Sequence, residues 1–243
     1  MHVIGVIPAR YSSTRLPGKP LLDICGYPMV WWVYKRVVSA RIFDDVIVAT
    51  DDTRIMEKCN DLGINVVMTK ATHRTAAERL QEVSCIIQSD YYIQINGDEP
   101  LIDIEALKTI SLYNIPQDIP YGTNIITKIH DSAQLMDSSN IKVVFDEEYN
   151  AKYMSRTPIP YPGGSIEFDY YKHVGIIGYN RKMLDFYSTS TPGRLEVIEG
   201  IDTLRFIDYN KQLKFIPVSN CNMLSVDTPK DVEIIKKKIE RYE

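Results

Sequence analysis

"VIGVIPARYSSTRLPGKP", residues 3–20, joins an apolar run to a cluster of positive charge. Residues 3–7 carry no polar alternation, which predicts a strand buried on both faces of a parallel sheet. Residues 8–27 then read as a loop, and its stretch to Pro20 holds Arg10, Arg15 and Lys19 with no acid. Loops leaving the C-terminal ends of strands are where open α/β sheets bind ligands. Two readings of the cations stand at this point. They surround a polyphosphate, with Arg making forked contacts and Lys a point charge, or they belong to a solvated surface loop. Neither G-x-x-x-x-G-K-[ST] nor G-x-G-x-x-G is present, which removes a Walker P-loop and a dinucleotide fingerprint.

Beyond this stretch, helical and strand patterns alternate. Pro28 opens a helical pattern that continues through Val37 and Val38, and residues 46–50 form the next strand. Asp51 and Asp52 are N-cap candidates for a helix ending near Gly63, followed by a strand at 65–69, a helix at 75–88 and a strand at 91–95. Such spacing demands crossovers, hence an α/β fold with a doubly wound, mostly parallel sheet. After about residue 120 the strands at 123–129, 141–145 and 173–179 are separated by polar, Pro-rich or Gly-rich connections rather than long helices, as in an inserted, mainly antiparallel subdomain. A strand at 214–218 and a helix from Pro229 restore the first pattern. The expected organisation is a core of 1–120 plus 205–243, with 121–204 inserted.

At 243 residues with a net charge of −4, the chain suits neither a nucleic-acid track nor an anionic membrane surface, so local cations are small-anion sites. Cys25, Cys59, Cys85 and Cys221 lie far apart without zinc-ligand spacing, and no stretch approaches the roughly 20 apolar residues of a membrane span. A reducing cytoplasm is the expected location.

Two acidic motifs complement the cations. "INGDEP" (95–100) places Asp98 and Glu99 just past a strand, where a carboxylate holds Mg²⁺ against phosphates or caps the helix starting near Asp103. "SVDTPKD" (225–231) offers Asp227, again as metal ligand or ordinary capping chemistry. Arg74 and Arg79 lie near a helix N-terminus, itself an anion site, or are simply solvated. His73 and His173 are acid–base candidates, with a structural role the commoner outcome for such histidines. Cations behind the first strand and acids from two distant segments converging on one cleft would make a nucleotidyltransferase.

These motifs, with "IPARYSSTRLPGKPL" (7–21), "VIVATDD" (46–52), "INGDEPLI" (95–102), "NIKVVFD" (140–146), "YMSRTPIPY" (153–161), "YKHVGIIGY" (171–179) and "SVDTPKDVE" (225–233), follow the order and spacing of a known family. The chain resembles the 3-deoxy-manno-octulosonate (Kdo) cytidylyltransferases almost end to end. The resemblance implies a nucleotide-diphospho-sugar transferase-like fold, a homodimer, and Mg²⁺-dependent transfer of CMP from CTP to a sugar acid. It implies that Ala9, Arg10, Arg15, Lys19 and Arg74 hold CTP and that Asp98 and Asp227 hold Mg²⁺. Lys19, Arg10 and Asp98 then serve catalysis, while Asn96, Arg156, His173 and Glu196 face the acceptor.

The departures concern the acceptor. The family usually has Gln at Asn96, a Ser-Gly-Thr run at Thr75, Ala76 and Ala77, Tyr at Ile177, and Gln at Val197 after Glu196. A site that lacks a hydrogen bond to a substrate hydroxyl loses discrimination for it. The acceptor is therefore open to Kdo, an amino-substituted ulosonate or a phosphonate, and a catalytically silent nucleotide-binding homologue is a third reading.

Overall fold

The computed structural model describes residues 1–243 except 13–15, 165–167, 220, 222 and 241–243. In chain order, β1 (Val3–Ala9) leads through a 3-10 turn (Lys19–Leu21) into a small hairpin, β2 (Asp23–Ile24) and β3 (Tyr27–Pro28), then α1 (Met29–Ser39). Next come β4 (Asp45–Thr50), α2 (Thr53–Asp61), β5 (Val66–Met68), α3 (Ala76–Ile86), β6 (Tyr91–Ile95) and α4 (Ile104–Ser111). They are followed by β7 (Tyr121–Lys128), α5 (Ser132–Met136), β8 (Lys142–Phe145), β9 (Ala151–Ser155), β10 (Tyr171–Tyr179), α6 (Arg181–Thr189), α7 (Arg194–Glu199) and α8 (Leu204–Asp208). β11 (Gln212–Pro217) and α9 (Pro229–Ile239) finish the order.

One sheet carries the order β11-β7-β10-β6-β1-β4-β5. β1 runs parallel to both β4 and β6, β5 is parallel to β4, and β11 is parallel to β7. β10 is antiparallel to β6 and β7, and β8 and β9 branch from it. The α/β reading therefore stands, with antiparallel strands in the second half. β7 and β10, both from segment 121–204, share the central sheet with the first half. That segment also carries β9 and the short helices α5, α6 and α7, which its polar, Gly- and Pro-containing sequence does not announce, and α8 begins at its last residue.

The apolar run of β1 is explained by burial on both faces. Val3 and Ile7 pack with α1, α2 and α4, whereas Ile4 and Val6 pack with α3, α6 and α8. Side chains alternate along a strand, so two helical layers require apolar residues at both parities. Each such fully buried aliphatic contributes about 1.5–3 kcal/mol.

A third cluster determines where the chain's end lies. Ile235 and Ile239 of α9 pack with Ile24, Met29 and Val226. The hairpin beneath them turns at Cys25 (φ 49) and Gly26 (φ 83), both left-handed as a two-residue type I′ turn requires. This packing sets the 225–228 segment beside the loop that follows β1.

Candidate active site

Lys19 opens the 3-10 turn behind Gly18, whose φ of 71 is a left-handed conformation natural to glycine. Its ammonium Nζ lies 2.7 Å from Asp98 Oδ2 and 3.0 Å from Asp227 Oδ1. Two backbone features hold the aspartates there. A Cβ at Gly97 would stand 2.7 Å from the Pro8 carbonyl oxygen, so glycine permits the segment after β6 to press against the end of β1. The Val226 N–H donates to the Asp98 carbonyl at 2.9 Å, stitching the two acidic segments together.

The same contacts decide between metal site and helix cap. Asp103 caps α4 by accepting from the Ala106 N–H, and Thr228 with Asp231 forms the capping box of α9. Asp98 and Asp227 face Lys19 instead, with about a third and a quarter of their side-chain surface open.

These three residues line a cleft of about 810 Å³ that also takes in Ala9, Arg10, Arg74, Asn96, His173 and Glu196. Arg10 and Arg74 are exposed on its wall, and among the described residues Arg74 pairs with Glu78 at 3.2 Å. Arg15 lies outside the described residues. Among those residues, no group of three or more His, Cys, Asp or Glu side chains is placed to hold a metal ion. Two aspartates fit Mg²⁺ nonetheless, because it takes one or two carboxylates and completes its shell with phosphate oxygens and water.

Three expectations are modified, those for Arg156, Glu196 and Arg79, and His73 takes its commoner structural role. Arg156 is not on the cleft wall: its guanidinium donates to the carbonyls of Ser138, Glu199 and Gly200. There it braces a corner also held by Lys142, which donates to the carbonyls of Asp137, Asn140 and Arg156. Glu196 reaches the cleft but is already neutralised, since Arg205 grips its two oxygens at 2.6 and 2.7 Å and the Gly193 N–H adds a third bond. Arg79 is buried against Asp51 at 2.7 Å and Thr69, so it is a structural cation in the cleft floor. His73 pairs with Glu82 at 2.5 Å, the structural outcome for that residue.

His173 is held differently. Its Nδ1 lies 2.7 Å from Asn124 Oδ1, and burial, assisted by Arg156, pushes its pKa down to about 4. It is therefore neutral near pH 7. Beside Asp98, burial and that neighbouring charge raise Glu99 to about 8. The departures also lie here: Ile177 is buried in the wall, Val197 is largely exposed, and Thr75 caps α3 by accepting from the Glu78 N–H.

Two groups escaped the sequence reading, one on the cleft wall and one behind it. Asp202 lines the wall, and burial followed by the charge of Glu196 raises its pKa. No periodicity or motif in "GIDTLR" marks it. Asn124, behind His173, sits inside an apolar strand pattern and is visible only once β7 and β10 are paired.

Family comparison adds the remaining information. A family model described as cytidylyltransferase matches residues 4–216. The chain belongs to the cytidylyltransferase family. As a cytidylyltransferase it is a nucleotidyl-transferring enzyme. The 8-amino-3,8-dideoxy-manno-octulosonate cytidylyltransferase of Shewanella pealeana is 37% identical, with 98% of this chain and 99% of that one covered. The 3-deoxy-manno-octulosonate cytidylyltransferase of Fusobacterium nucleatum is also 37% identical, over 96% and 95%. A solved CMP:2-keto-3-deoxy-manno-octonic acid synthetase complexed with CTP matches with a TM-score of 0.92 at 34% identity, covering 100% of both chains. The inositol-1-phosphate CTP transferase of T. maritima, at 18% identity and a TM-score of 0.67, shares the fold over 98% of this chain and 96% of that one.

Proposed function

We propose that this cytidylyltransferase moves CMP from CTP to an oxygen of a Kdo-type 2-keto sugar acid, releasing pyrophosphate in a Mg²⁺-dependent reaction. The observation that carries this reading is the single ammonium of Lys19 meeting both Asp98 and Asp227 in a cleft flanked by Arg10 and Arg74. The acceptor oxygen attacks the α-phosphorus, the bond from that phosphorus to the bridging oxygen breaks, and pyrophosphate leaves with the electron pair. The acceptor's proton passes to solvent. Lys19 and Arg10 neutralise charge gathering on the leaving pyrophosphate, and Arg74 supplies a further phosphate contact. Asp98 and Asp227 would hold Mg²⁺, which when bound supplies Lewis acidity at the phosphate oxygens. Positioning and charge neutralisation suffice for phosphoryl chemistry without a covalent nucleophile.

A second reading of the acceptor is favoured by Asp202. Because Arg205 is committed to Glu196, Asp202 remains an acid on the cleft wall that an ammonium group would match. An amino-bearing acceptor, such as the 8-amino sugar acid named for the Shewanella relative or an aminoalkylphosphonate, supplies that group. Pyrophosphate release from CTP and Mg²⁺ with Kdo, its 8-amino analogue and an aminoalkylphosphonate tests both readings. Preference for an amino acceptor, reduced by Asp202→Asn, supports the second. No preference for an amino acceptor in the native enzyme, or a preference that Asp202→Asn leaves unchanged, removes it, and release with no acid removes the transfer reaction altogether.

We also read the enzyme as a cytoplasmic homodimer assembling through segment 121–204. Met136, Tyr161, Val197 and Ile198 of that segment are exposed apolar side chains, and no described helix is long and apolar enough to cross a membrane. Light scattering on the purified protein checks the assembly.

A further inference from the structure

We propose that Asn124 is a positioning residue that fixes the tautomer of His173, so that the cleft offers a bare Nε2 lone pair to a hydrogen-bond donor on the acceptor molecule. The inference rests on the reading that this cleft takes CTP and a sugar-acid acceptor.

The bonding around Asn124 leaves one assignment. The β10–β7 register breaks between His173 and Ile177. At that irregularity the Val174 and Ile176 carbonyls both face the Asn124 amide nitrogen, which donates to them at 2.8 and 3.0 Å. An amide nitrogen carries two hydrogens, and both are engaged. Reversing the amide would set its oxygen against two carbonyl oxygens, so the oxygen must be the atom 2.7 Å from His173 Nδ1. That oxygen can only accept. Nδ1 therefore bears the hydrogen, and the Nε2 of a neutral ring bears none.

Nε2 has no partner among the described residues and is not sealed in the core, since His173 is part of the cleft wall. Burial and the Arg156 charge keep the ring neutral among the other charged groups nearby. Arg156 acts on it directly, Lys142 and Lys172 occupy paired positions on β8 and β10, and Glu99 lies against Gly175 on the β6 side. Burial and Arg156 together account for the pKa of about 4. A neutral imidazole fixed in this way accepts from a hydroxyl or an ammonium and repels a carboxylate. It is too weak a base near pH 7 to remove the acceptor's proton efficiently. His173 is thus a selector of the acceptor's hydrogen-bond donors, and Asn124 is what makes it one.

The test is long-range ¹H–¹⁵N NMR of the histidine rings in the full-length enzyme, with His173 assigned by its absence in His173→Gln. The expected result is a hydrogen on Nδ1, none on Nε2, and no titration between pH 6 and 9. A hydrogen on Nε2, or titration near the ordinary histidine value, overturns the proposal. This spectrum stands even if no acceptor supports turnover, so it is separable from the transfer reaction. In a second experiment Asn124→Ala removes the acceptor at Nδ1 and frees the ring to carry its hydrogen on Nε2. The spectrum of that variant should show the Nε2–H tautomer, and the acceptor KM should rise about tenfold while the KM for CTP stays within about twofold. An unchanged Nδ1–H tautomer in the variant, or equal losses for acceptor and CTP, counts against the proposal.

Discussion

Replacing Lys19 with Met keeps the side chain's length and removes its charge, which separates the site from the fold. The ammonium makes charge-assisted contacts of 2.7 and 3.0 Å, and its side chain is only 11% exposed. Breaking a fully buried ion pair costs about 3–5 kcal/mol, and an exposed pair is worth about 0–1 kcal/mol. Asp98 and Asp227 keep 32% and 24% of their surface, so water can resolvate both once the lysine charge is gone. The loss of stability should therefore be about 1–2 kcal/mol. Turnover should suffer more, because removing one preorganised donor from developing oxyanion charge typically costs about 10²–10³ in kcat. Urea unfolding gives the first quantity and continuous pyrophosphate release the second. A Lys19→Met enzyme with kcat/KM for CTP within threefold of the parent would refute the reasoning. So would a stability loss beyond about 5 kcal/mol, which would make Lys19 a fold residue.

Three further outcomes are expected. His173 has a folded pKa of about 4 against an ordinary 6.5, so its contribution is present above pH 6.5 and is lost as pH falls through 4. That term is on the order of 3 kcal/mol, and His173→Gln should flatten the urea midpoint between pH 6.5 and 4; an unchanged slope contradicts the assignment. Arg205→Met strands the buried carboxylate of Glu196 and should cost about 3–5 kcal/mol by urea unfolding, part of which Glu196→Gln restores; a loss under 1 kcal/mol would show the pair to be dispensable. Gly97→Ala drives a methyl into the Pro8 carbonyl and should cost about 1–3 kcal/mol while raising the KM for CTP, whereas native values for both would mean the β1–β6 contact yields freely.

Much of this architecture is legible in the chain because two helical layers force apolar residues onto both parities of β1, and Asp52, Thr75 and Asp103 cap the helices they precede. The second half is harder. β9 carries a mixed pattern, "AKYMS", and α7 and α8 are six and five residues long, too short for a helical period to emerge. At the site, the charge pattern was a guide, since Lys19 lies in the acid-free stretch 8–20 and meets Asp98 and Asp227 from distant segments in space. It failed for Glu196 and Arg156, whose partners are Arg205 and three carbonyls supplied by tertiary packing. Asp202 and Asn124 carry no motif, and only the pairing of strands and the closure of the cleft give them neighbours.

The central claim is that Lys19, Asp98 and Asp227 form one triphosphate and Mg²⁺ site. Calorimetric titration of CTP into the native enzyme and into an Asp98→Asn, Asp227→Asn double variant, each with Mg²⁺ and with chelator, addresses it most directly. Binding by the native enzyme should tighten at least tenfold with Mg²⁺, and the double variant should lose that gain while still unfolding cooperatively in urea. Equal CTP affinity with and without Mg²⁺ in the native enzyme, or an undiminished Mg²⁺ effect in the variant, would contradict it.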